Sequence, residues 1–149
     1  STVVLLLIVI LPLVIYFLRP SDEAKIKKLV KAGSEAAEKE DLEGLMSLIS
    51  FNYSDDYGQS YMILKENLKA QFKSFSDIEV EYEGLRAEPE KDKARATMDL
   101  RVIASEGTQR GYIFGDLKKP VRFIVELEKG PTGEWYVANA SGLDERDVR

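Results

Sequence analysis

The chain contains neither cysteine nor histidine. Without cysteine there are no disulfides, no thiolate metal sites, no acylated lipoprotein cysteine and no cysteine nucleophile. Without histidine the commonest general base and the commonest metal ligand are missing, so serine–histidine triads and histidine-bearing zinc motifs are excluded. Charge is also missing from the first eighteen residues: all 21 basic and 26 acidic side chains lie at or beyond Arg19. The net charge of −5 therefore belongs to the rest of the chain, where it repels phosphate backbones and makes nucleic acid a poor partner. No cofactor or metal is expected, because the acidic clusters at Asp22-Glu23 and between Asp144 and Asp147 show no ordered ligand spacing.

What is present fits one small folded domain behind an apolar tract. The length is 149 residues, with 44% apolar and 32% charged residues, enough for a core and a well-solvated surface. The tract itself, Val3 to Leu18, is rich in Leu, Ile and Val. As a helix rising ~1.5 Å per residue it is roughly 24 Å long, slightly short of a ~30 Å hydrocarbon core. Tyr16 and Phe17 sit beside Arg19 as interfacial aromatics do, and Pro12 is tolerable within such a helix. The tract reads as an uncleaved transmembrane anchor (residues 1–19) before a soluble domain (residues 20–149). A cleaved signal peptide is disfavoured, since Leu18-Arg19-Pro20 offers no small-x-small site. The lipid bilayer is thus an expected partner through residues 3–18. The basic residues after Leu18 alone favour a cytoplasmic domain. A lone N-terminal anchor on a small domain more commonly serves an extracytoplasmic, periplasmic one, and that is the expectation here.

Beyond Pro20 the apolar period is helical. Ile26, Leu29, Val30, Gly33, Ala36 and Ala37 recur at three- and four-residue steps between Glu23 and Lys39. Ser21 or Asp22 supplies the N-cap. Asp41 caps a short second helix with Leu42, Leu45, Met46 and Ile49 on its face, and a third runs from about Ser60 to Lys73 with Tyr61, Leu64, Leu68 and Phe72. The period then becomes two: Ile78, Val80 and Tyr82; Ala94 to Val102; Val121 to Leu127; and a last strand from Trp135 to about Leu143. Segments 88–92 and 130–133 are tight turns. Residues 106–116 read as a looser loop whose Tyr112, Ile113 and Phe114 fold back onto the domain. The predicted class is α+β: three helices on a curved four-stranded antiparallel sheet, preceded by one transmembrane helix.

This order resembles the nuclear transport factor 2-like superfamily, the cystatin-like cone fold, over roughly Ala24 to Leu143. The resemblance rests on Glu40-Asp41-Leu42-Glu43-Gly44-Leu45 between the first two domain helices and Tyr53-Ser54-Asp55-Asp56-Tyr57-Gly58 before the third. It also rests on Phe72 leading into long alternating strands and on Gly133-Glu134-Trp135-Tyr136-Val137 in the final strand. It implies an open mouth between helices and sheet, where enzymes of the superfamily place their pockets. Isomerase-like members use an aspartate base and a tyrosine there; dehydratase-like members rely on histidine, which is absent. The fold hosts enzymes and non-catalytic assembly domains alike.

The residues matching that chemistry are Asp55 and Asp56, with Tyr53, Tyr57, Tyr61 and Trp135 as pocket candidates. An aspartate desolvated by aromatics would have a raised pKa and act as a base. The plainer reading has Asp55 or Asp56 holding the turn, Tyr53 and Tyr61 in the core, Trp135 plugging it, and Asp99 paired across strands with an arginine. On the polar sheet face Arg101, Ile103, Arg122 and Ile124 form a mixed patch suited to a protein partner or self-association. The sequence reading as a whole is a membrane-anchored, non-catalytic interaction or assembly module, such as an accessory subunit of a bacterial membrane complex. The alternative is a small-ligand-binding or isomerase-type pocket protein using aspartate and tyrosine.

Overall fold

A computed structural model describes residues 2–18, 20–116 and 118–143. Helix α1 (Thr2–Leu18) is the apolar tract. All its Val, Leu and Ile side chains from Val3 to Ile15 are 44–67% exposed, so none is spent on packing against the domain. Among the described residues no helix is long and apolar enough to cross a membrane. At ~1.5 Å per residue α1 spans about 26 Å. Tyr16 and Phe17, expected at an interface, have side chains outside the described residues.

Helix α2 (Asp22–Glu38) starts at Ser21, whose hydroxyl accepts from the Ala24 N–H at 3.1 Å. Asp22 and Glu23 in its first turn complement the helix dipole. Helix α3 (Leu42–Met46) is capped by Asp41, and α4 (Tyr61–Ser74) by Ser60. The strands are β1 (Ser76–Glu90), β2 (Lys93–Glu106), β3 (Gln109–Phe114), β4 (Val121–Lys129) and β5 (Trp135–Leu143). They form one antiparallel sheet in the order β1-β2-β4-β5, with β3 folded back onto β2. The sheet therefore has five strands, not the expected four. Residues 109–114 were expected as loop because Gly111 interrupts the alternation there; hairpin pairing with β2 supplies the order that local propensity does not. Register shifts interrupt β1, one of them between Glu83 and Arg86 at Gly84. Gly84 has φ +65°, which a side chain would resist, and such a bulge bends the strand.

The two ends of this layered structure differ. At one end Ile26 of α2 shares one buried cluster with Ala94, Ala96, Leu127 and Trp135. At the other end the sheet presents larger side chains (Val80, Tyr82, Leu100, Val102), while the second half of α2 offers only Gly33, Ser34, Ala36 and Ala37. Helix α4 covers that end without burying any residue completely. Short side chains opposite a curved sheet leave space unfilled.

Candidate functional site

That space is a cavity of about 470 Å³, within the range of small-molecule pockets. Helix α2 lines it with Leu29, Val30, Gly33, Ser34 and Ala37. The α3 region adds Leu45, Leu48 and Ile49, and α4 adds Leu64, Leu68, Gln71 and Phe72. The sheet contributes Ile78, Val80, Tyr82, Met98, Leu100, Val102, Phe123, Val125, Val137 and Ala140, with Ile113 and Phe114 from β3 and Tyr53 from the loop before α4. No Asp, Glu, Lys or Arg is among them. Phe114 meets Phe123 edge to face at 6.1 Å and rests over Gly142, where an added Cβ would stand 2.9 Å from its ring. A glycine there lets β3 close down on β5.

Of the six pocket candidates, only Tyr53 lines the cavity. Its hydroxyl donates to Asp55 Oδ2 at 2.9 Å and accepts from the Ala140 backbone N–H. Burial, reinforced by the neighbouring Asp55 carboxylate, pushes its pKa well above the phenol range. Asp55 lies behind Tyr53 and organises the turn. It also accepts from the Tyr57 and Gln59 N–H groups and from Gln59 Nε2, at 2.9–3.0 Å. Burial pushes the Asp55 carboxyl up, but these donors together outweigh it and hold the carboxyl below its ordinary range. That is the opposite of the raised pKa a buried base would need. Asp56 and Tyr57 are exposed. Tyr61 packs on Phe51, ring centroids 4.9 Å apart.

Trp135 lies at the closed end, 5% exposed. Its indole N–H donates to Asp22 Oδ1 at 3.1 Å, and Lys129 Nζ reaches Asp22 Oδ2 at 3.1 Å while standing 5.3 Å from the indole ring. The Lys129 hydrogen bond leads the effects that hold the Asp22 carboxyl low, against burial and helped by the indole. The cluster fixes the start of α2 to the sheet.

The sheet-face candidates are arranged by register. Arg122 lies opposite Asp99 and pairs with it at 3.6 Å, the cross-strand pair expected for Asp99. Arg101 Nε donates to the Asp116 carbonyl at 2.8 Å. Ile124 is level with Thr97 and Ile103 lies six residues further along β2, roughly 20 Å away at ~3.3 Å per residue. The two isoleucines therefore do not form one patch.

Sequence reasoning missed most of the lining because it is apolar, and apolar residues at regular spacing read as core. The lining residues the sequence did point to are Tyr53, named as a pocket candidate, and Ile113 and Phe114, expected to fold back onto the domain.

No family model matches the chain, and no curated protein matches it. Solved structures do. An NTF2-like protein with a cystatin-like fold from Novosphingobium aromaticivorans aligns at 14% identity and TM-score 0.60, covering 79% of this chain and 78% of that one. A candidate scytalone dehydratase from the same species aligns at 11% and 0.64, covering 80% and 82%. Bd1075 of Bdellovibrio bacteriovorus aligns at 11% and 0.64 over 78% of this chain, which spans only 38% of that protein. Helices wrapped on one face of a curved antiparallel sheet, with these neighbours, show that the chain has a cystatin-like cone fold.

Proposed function

We propose that this domain binds a small apolar molecule in its cavity. The observation that carries the reading is the cavity itself: about 470 Å³, with no charged residue in its lining among the described residues. Similar folds named as candidate enzymes favour a ligand pocket over an assembly module. The chemistry in reach of the pocket is binding rather than proton transfer, because Tyr53 and Asp55 already satisfy each other. The exposed apolar surface of α1 supports a second element of the reading, contact with a lipid bilayer that keeps the domain at a membrane.

The test uses the full chain in lipid nanodiscs with a fluorescent apolar probe, aminoanthracene, and empty nanodiscs as reference. Saturable binding of one probe per chain, lost in Ala37→Phe with its melting transition kept, is the expected result. Binding that is non-saturable or untouched by that substitution contradicts the pocket reading.

A further inference from the structure

We infer that the cavity selects an uncharged amphiphile, a molecule with an apolar body and one neutral hydroxyl or carbonyl, over fatty acids and other charged amphiphiles. The inference rests on the ligand-binding reading and adds the class of ligand.

The polar groups of the lining decide it. Among the described residues four lining side chains carry N–H or O–H groups: Ser34, Tyr53, Gln71 and Tyr82. The Ser34 hydroxyl donates to the Lys31 carbonyl of its own helix at 2.8 Å. Tyr53 is held by Asp55 and Ala140. That leaves Gln71, exposed in the last turns of α4 and so at the rim, and Tyr82, half-buried in β1 opposite Leu100. Neither side chain has a hydrogen-bond partner among the described residues. An amide and a phenol each donate and accept, so both suit a neutral hydroxyl or carbonyl. A carboxylate or ammonium drawn into this lining meets no opposite charge among the described residues and loses its water. An entirely apolar ligand leaves Gln71 and Tyr82 unused.

The experiment displaces aminoanthracene from the full chain in nanodiscs at pH 8 with dodecanol, dodecanoate and dodecylammonium, which share one alkyl chain. Dodecanol should displace at a concentration at least tenfold below either ion. Gln71→Leu with Tyr82→Phe, a pair that keeps volume and should fold, should weaken dodecanol by about fivefold per lost hydrogen bond, its affinity being corrected for the probe's own affinity titrated in the same variant. Equal or tighter displacement by dodecanoate overturns the selectivity, as does dodecanol affinity unchanged in the double variant. Probe binding that none of the three displaces also overturns it while leaving the pocket reading standing. Failure of the probe to bind removes both.

Discussion

At the Trp135 end of the cone, β2 contributes alanines, α2 contributes Ile26, and a tryptophan fills what remains. At the Phe114 end the pattern is reversed: the sheet carries Leu, Val and Tyr, and the helix carries Gly, Ser and Ala. Both ends obey the same alternation of apolar and polar positions along the strands. What differs is the size of the residues facing each other, and that decides whether a layer of helix on sheet becomes a packed core or a pocket.

The largest expected effect is a pair of identical truncations, one at each end. Leu127 is 1% exposed in the packed end, so Leu127→Ala should lower unfolding free energy by about 2–5 kcal/mol. Leu100→Ala borders a space that is already empty and should cost clearly less, about 1 kcal/mol, in urea denaturation. Equal losses would erase the distinction between the ends.

The closed end has its own latch. Trp135→Phe keeps an aromatic plug but removes the donor to Asp22, and should cost about 1–2 kcal/mol with ligand affinity unchanged.

Gly142→Ala acts at the open end. Its new methyl would meet the Phe114 ring and Val121, so β3 must ease away. A cost of about 1 kcal/mol and a clear loss of probe affinity are expected from melting and titration.

The smallest effect is electrostatic. Asp22 titrates below its ordinary 3.8 when folded, so its contribution is present above that pH and is lost as pH falls through the folded value. Asp22→Asn should therefore be less stable than the parent near neutral pH, and the two stability curves should converge in acid below pH 3.8. Parallel curves would mean that the Lys129 pair adds nothing.

Much of this architecture is legible in the residues. Period-three spacing from Ile26 to Ala37 and period-two spacing from Ala94 to Val102 name their elements, and Ser60 and Asp41 mark helix starts. Strand β3 is not legible, because Gly111 hides a hairpin that only pairing with β2 enforces. The pocket is legible by resemblance alone. Nothing in the spacing of Leu100 or Val102 says that α2 will oppose them with Gly33 and Ala37 rather than with larger side chains. The polar residues that drew attention, Asp55 and Asp56, belong to a turn whose hydrogen bonds only the folded geometry reveals.

The chain's three methionines sample the three environments that the account separates. Met98 lines the cavity, Met46 is buried outside its lining at 2% exposure, and Met62 is 61% exposed on α4. Methyl-labelled methionine spectra of the full chain in nanodiscs, recorded with and without dodecanol, give the most direct test. The Met98 methyl should shift and saturate while Met46 and Met62 stay in place. A shift at Met62 with Met98 unmoved would put the ligand on the surface and contradict the claim that the open end of this cone is a binding site.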